Sequence, residues 1–545
     1  MTIVTMRGLA VLLLGLAIGV GSARTAEAQH QHESGAAAQG LGKVHFDTSC
    51  SKEVTADFDR GVALLHSFWF SAAIETFDKV VAKDPGCAMA HWGIAMSWWG
   101  NPFAGFRSTK AIALGQAAVD KARNAAPKTP RERDYIEAVA LLYKDAGNVD
   151  TRTRTVAYEK AMEKLADTYR DDPEARIFYA LALDQTALPT DRTYGNLLKA
   201  GAILERELPA QPQHPGIAHY IIHSYDVPPL APKALEAARR YSKIAPDAPH
   251  ALHMPSHTFT RLGYWNESIE TNLASAAAAR KDNAATEELH ALDYQVYAYL
   301  QTAQDAAARK VVEAAPAIGV RIQGDAAGNA APAPAGFYAL AAIPARQALE
   351  RNAWKEAAAL PARETAFPWA DAITHYARAL GAARSGDPKA AGAAIEKLAS
   401  LGAVLKDKNE AYWANQVEIQ RRAATAWMMF AEGRKEEAVT TLSEAATMED
   451  ATEKSAVTPG PIKPARELLG EMLLEVGRPA EALAAFEETM TREPNRFRSI
   501  EGAARAAQAS GDAAKARSYY AKLIELCPRG DRPDLEAARK ASSQR

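Results

Sequence analysis

Four residues near the C-terminus, Gly477, Ala482, Phe486 and Pro494, return 34 residues later as Gly511, Ala516, Tyr520 and Pro528. A repeat of this length is one helix-turn-helix unit that cannot bury its apolar face alone, which constrains the chain to a stack of hairpins packed on their neighbours. Each residue type suits its place. Glycine fits the tight turn between the helices, a small residue lets them approach, an aromatic fills the space between units, and proline stops the second helix.

Weaker copies cover most of the chain: Gly61, Phe70, Ala73, Phe77 and Pro85; Gly263, Trp265 and Ser268; Gly386, Ala391 and Ile395; Gly433, Ala438 and Leu442. Trp354 with Ala357, and Ala161 with Leu165 and Pro173, read as degenerate units. At this repeat length the chain holds roughly ten to twelve hairpins. The pattern resembles the tetratricopeptide repeat, which implies an all-α, right-handed superhelical solenoid of stacked helical hairpins. The strings LLHSFWF (Leu64 to Phe70), CAMAHWGIAM (Cys87 to Met96), HPGIAHYIIHSYD (His214 to Asp226) and HALHMPSH (His250 to His257) are similar to a group of exported bacterial proteins of that type. That resemblance implies fold and compartment and carries no chemistry.

Arg7, the apolar run Gly8 to Val20 and then Ala26-Glu27-Ala28 read as a signal peptide over 1–28, too short to span a membrane. The expected product is exported, periplasmic or secreted, with no membrane span. Residues 29–52 read as a flexible leader, 53–322 as an N-terminal array, 323–336 (QGDAAGNAAPAPAG) as a non-helical linker and 337–457 as a central array. Residues 458–545 then hold a Pro/Gly break and the C-terminal repeat pair. Export permits a disulfide, and Cys50 and Cys87 flank the first hairpin; the spacing leaves bridged and free forms equally open. Cys527 reads as a buried small residue. The 64 basic and 66 acidic residues nearly cancel, so no field directs the chain to nucleic acid or an anionic surface, and no nucleic-acid partner is expected.

Seven of the thirteen histidines lie between His214 and His290. His219 and His223 recur one repeat later as His253 and His257, and an i, i+4 spacing puts both rings of a pair on one helix face. His250 and His290 share a register position, and Asp293 shares that of His219 and His253. The tetratricopeptide resemblance places all of these on the concave groove, with Tyr225 and Asp226 beside them.

Beside a purely structural pairing, in which the imidazoles bond neighbouring hydroxyls such as those of Tyr220, Tyr225 and Ser256, two functions follow. In the first, the groove recognises a protein, peptide or small ligand, for example a carboxylate-bearing peptide bound by imidazolium. In the second, His219, His223, His253 and His257, or three histidines with Asp293, coordinate zinc or copper. Pro255 interrupts the second pair and threatens its alignment. Neither an HExxH signature nor a nucleophile-elbow glycine pattern occurs, so no catalytic residue is assigned and binding is expected rather than catalysis. His66 and His91, among Trp69, Trp92, Trp98 and Trp99, read as an aromatic packing core whose indole N–H groups bond to backbone, with a peptide-binding patch as the alternative. Gln29-His30-Gln31-His32 reads as a disordered tail with some capacity for copper.

Overall fold

The computed structural model describes residues 40–104, 107–322 and 330–543. Residues 1–39, which hold the expected signal peptide and the QHQH stretch, lie outside the described residues. The described chain folds into twenty-six α-helices and two short 3-10 helices, with no strand among them. None of these helices is long and apolar enough to cross a membrane. Each helix packs on the next, and helices two apart pack on one another along much of the chain, the stacking of a helical-repeat array.

Local chemistry starts and stops the hairpins as the sequence leads one to expect. Thr129 and Glu132 form a capping box with Pro130 in the first turn, and Asp172 and Asp387 each accept a backbone N–H ahead of Pro173 and Pro388. Gly477 and Gly511 take left-handed φ values of 77° and 83°, which lets the N–H after each bond back to the carbonyl five residues earlier. In other units the same turn is made by Asn283 and Asn409, a residue type that tolerates this conformation.

The aromatic of each unit acts as a wedge. A Cβ added at Gly470 or Gly502 would meet the Phe486 ring at 2.8 and 2.3 Å, and one added at Gly61 or Gly93 would meet Phe77 at 2.6 and 2.4 Å. Each phenylalanine therefore sits between glycines sixteen residues before and after it, at opposite ends of the chain. Small residues on both neighbours allow a full ring to fill the gap at interior packing density.

The array closes on itself. Helix Thr55–His66 packs on Pro215–Ser224, and Ala285–Gln301 packs on Phe497–Ala509. The far C-terminus is tied to the middle of the chain: Trp265 Nε1–H donates to the Asn495 carbonyl at 2.8 Å, and Arg532 donates to Asp305 and to the Leu300 carbonyl.

Three expected segments differ from their sequence reading. From Gly40 onward the leader is packed rather than flexible: Leu41 and Phe46 are buried, Phe46 meets Phe58, Trp92 and Tyr135, and Ser49 donates twice to Glu132. The Cys50–Cys87 disulfide pins it further, and Cys527 is a buried free thiol. Of the linker, 323–329 lies outside the described residues; Ala330 and Ala331 are buried, and helix Ala333–Glu350 has already begun, because Pro334 fits a first helical turn. The Pro/Gly break is irregular as expected, yet it does not merely separate repeats. Residues 452–464 run against the inner surface, where Arg346 donates to Thr458 Oγ1 and to the carbonyls of Gly460 and Pro461.

Candidate metal centre

Six histidines gather on the inner face of the array. His219 and His223 come from helix Pro215–Ser224, His250 and His253 from Pro249–His253, His257 from Pro255–Leu262 and His290 from Ala285–Gln301. They sort into two trios, His219 with His223 and His250, and His253 with His257 and His290. Within each trio, one ring nitrogen per residue lies within 4.8 Å of the others. The four histidines expected from sequence are thus brought together, but in two groups, each completed by a histidine from a helix beyond the intervening one.

The helical spacing gives both pairs the same geometry. His219 Nε2 and His223 Nε2 are 3.2 Å apart, and His253 Nε2 and His257 Nε2 are 3.1 Å apart. Two imidazoles on one tetrahedral ion, each at about 2.0–2.1 Å, place their nitrogens roughly 3.3 Å apart. Pro255 does not spoil the register. It occupies the first position of its short helix, where no N–H is needed, and Met254 keeps right-handed helical angles of φ −53° and ψ −36°.

Hydrogen bonds at the far nitrogens fix which atom faces inward in three of the six rings, His219, His253 and His257. Asn272 Nδ2–H donates to the Ser268 carbonyl at 2.7 Å, so its Oδ1 is the acceptor for His253 Nδ1–H at 2.8 Å. Asp226 Oδ2 accepts His257 Nδ1–H at 2.9 Å, and the His66 carbonyl accepts His219 Nδ1–H at 2.7 Å. With these protons placed, His253 and His257 turn two lone pairs towards one another with no hydrogen between them. An acceptor bond behind a ligating imidazole is the usual arrangement of a metal site, since it sets tautomer and ring orientation. In the first trio His223 can still donate to His219, so the demand for a cation is sharpest in the second.

Burial removes the other way of relieving that contact, which is protonation. None of the six is more than 8% exposed. Desolvation holds all six below the ordinary histidine range, with neighbouring imidazoles adding to the effect at most of them; His219 and His290 fall to about 3. Neither ring nitrogen of His250 has a hydrogen-bond partner, and His290 Nδ1 has none. Buried polar atoms are rarely left so. Aromatic rings roof both trios: Phe68 lies 4.4 Å from the His219 ring and 5.5 Å from His250, and Tyr294 lies 4.8 and 4.9 Å from His253 and His257.

A third group, His66, Glu174 and His214, differs in kind. Both histidines donate from Nε2 to Glu174, at 2.9 and 2.8 Å, while His66 Nδ1 accepts from the Tyr220 hydroxyl and His214 Nδ1 from the Ile217 N–H. Every nitrogen is used. Burial alone would raise the Glu174 carboxyl, but the two histidines bring it down to about 2. The group anchors helix Pro215–Ser224 and leaves no lone pair for an ion.

The remaining predicted residues play other parts. Asp293 lies outside both trios: its Oδ1 receives Arg346 Nε–H at 2.8 Å, while its Oδ2 is buried without a hydrogen-bond partner. Tyr225 donates to Glu205 and packs over Gly201, away from both trios. Asp226 orients His257 and is itself held by Arg261 at 2.8 Å and Lys454 at 3.0 Å. Lys454 belongs to the irregular 452–464 segment, so the inner surface expected to form an open peptide groove is filled here by the chain itself. Trp92 is packing core as read, whereas Trp99 Nε1 has no partner and its ring lies under Arg107. Asn272 was not anticipated, because a lone asparagine on a second helix carries no signal in sequence.

No family model matches the chain, and no curated protein matches it. Among solved structures, human IFIT1 with m7Gppp-AAAA is 13% identical, with 81% of this chain and 90% of that chain covered at a TM-score of 0.34. A monomeric IFIT1 mutant with m7Gppp-AAAA is 12% identical over the same shares, at 0.35. Naa15/Naa10 bound to HypK is 12% identical, with 89% of this chain and 73% of that chain covered, at 0.23. Likeness at this level assigns no function to the chain, which its own geometry describes as an all-α helical-repeat protein.

Proposed function

We propose that this is an exported helical-repeat binding protein whose ligands are transition-metal ions, copper or zinc, held by two tri-imidazole sites. The observation that carries the reading is the pair of inward lone pairs on His253 and His257, 3.1 Å apart and each committed by a proton on its far nitrogen. A cation removes that repulsion, and imidazole donors suit both metals. Export is supported by the N-terminal basic, apolar and small-residue pattern and by the Cys50–Cys87 disulfide, a bond that persists in oxidising compartments.

The test is the metal content of full-length chain purified without an affinity tag, beside a His253→Ala, His257→Ala double variant. Near-stoichiometric copper or zinc that falls in the variant supports the reading. A wild-type chain that stays empty after incubation with both metals, while remaining folded by circular dichroism, rejects it.

A small-ligand reading is favoured at a different place. A pocket open to solvent is lined by Trp369, Trp413, Tyr338 and Tyr412, with Lys454 and Arg261 in its wall. The two indoles stack on one another at 4.4 Å in its wall, and pockets lined by aromatic rings with a few charged groups are common ligand sites. Quenching of indole fluorescence by aromatic acids, lost in Trp413→Ala, tests this second reading.

A further inference from the structure

We infer that the two trios form one binuclear copper centre that takes a small bridging anion, such as hydroxide or azide, between its ions. This rests on the metal reading above and goes beyond it by joining the sites and choosing the ion.

The joining follows from the helix Pro249–His253. His250 belongs to the first trio and His253 to the second, so each takes a ligand from the same helical turn. Residues three apart on a helix are surface neighbours with Cβ atoms about 5–6 Å apart. Their ring centroids are 6.0 Å apart, and a second contact across the trios, His223 to His257, is also 6.0 Å. With each ion about 2.0–2.1 Å from its nitrogens, two ions flanking one turn come within reach of a single small ligand. The remaining exposure of the cluster falls on His223, His250 and His290, which gives both trios an edge towards solvent.

The choice of copper follows from charge and coordination. The donors are six neutral imidazoles. No carboxylate belongs to either trio; the nearby ones are paired with cations, Asp226 with Arg261 and Lys454, and Asp293 through one of its two oxygens with Arg346. Two zinc ions would add four positive charges where the nearby carboxylates already face Arg261, Lys454 and Arg346; two cuprous ions add half as much, and three-coordinate imidazole ligation suits them. Among divalent ions, copper also outranks zinc at nitrogen donors. In the cupric state the added charge favours an anion between the ions, since the protein supplies none.

The experiment uses metal-depleted full-length chain, titrated anaerobically with cuprous ion against a competing chelator, then oxidised with ferricyanide and examined by electron paramagnetic resonance with and without azide. The expected result is two coppers per chain, a cupric form with most of its resonance signal lost to coupling through the bridge, and an azide-dependent charge-transfer band. A folded His290→Gln variant should hold one copper that shows its full signal. Two coppers with full-intensity independent signals overturn the binuclear centre and leave the metal reading standing. One copper per chain, or zinc retained against copper, also overturns it. A folded chain that binds neither metal removes the metal reading as well.

Discussion

His253 and His257 face one another across 3.1 Å, nitrogen to nitrogen, while Asn272 and Asp226 hold their protons on the opposite sides of the rings. Asn272 is therefore a positioning residue. Replacing it with leucine frees His253 to rotate or change tautomer, and losses of about 10–100-fold in metal affinity are usual for such outer-shell changes. Competition titration of Asn272→Leu should show a loss of that size, with Asn272→Asp, which keeps the acceptor, close to wild type. Equal affinity in all three would remove this role.

The metal-free protein should be acid-sensitive in a defined window. The unfolded chain binds protons at its histidines below about pH 6.5, whereas burial keeps the six folded imidazoles neutral, two of them down to about 3. Their contribution is fully present above pH 6.5 and is lost as pH falls from there, by about 1.4 kcal/mol per pH unit for each histidine that the core keeps neutral. Urea midpoints of the metal-free chain should drop steeply between pH 7 and 5. A flat profile over that range contradicts neutral burial.

Arg346 joins a buried carboxylate to the irregular inner segment. Arg346→Met strands Asp293 and frees Thr458, Gly460 and Pro461 together. Breaking a buried pair by removing one partner costs about 3–5 kcal/mol, and replacing both partners with apolar residues recovers much of it. Amide exchange in residues 452–464 should accelerate in the single variant and return towards wild type in Arg346→Met, Asp293→Leu.

Phe486 sits between Gly470 and Gly502, so its truncation opens a cavity shared by three helices. Phe486→Ala should cost about 3–5 kcal/mol in chemical denaturation. Gly470→Ala, whose Cβ would meet the ring at 2.8 Å, should destabilise by overpacking. If both variants melt like wild type, the wedge is not holding the repeats together.

The 34-residue period and the i, i+4 histidine pairs are local signals, and they located the hairpins and four of the six inward rings. The third member of each trio was harder to place. His250 and His290 share a register position, but whether they complete a site depends on how far adjacent units rotate, which a single sequence does not encode. Closure of the array was not readable at all. Asp226 meets Lys454 across 228 residues, and neither end of that pair has a distinguishing neighbour pattern. The leader misled for a related reason: its small and polar residues suit a free strand, while Phe46 finds its pocket among residues from three separate helices.

Synthesis runs from the N-terminus, and the self-filled inner surface sets an order of events. All six imidazoles have emerged by residue 290, but the lysine that holds Asp226 behind His257 arrives only when the chain is more than four-fifths made. An array made only as far as residue 290 already holds Asn272, Asp226 and the His66 carbonyl behind the rings, but lacks Lys454, one of the two cations that hold Asp226. On the metal reading, the setting of Asp226 behind His257 is completed only by the C-terminal part of the chain, so shortening that part is expected to change the centre without touching any of the six histidines.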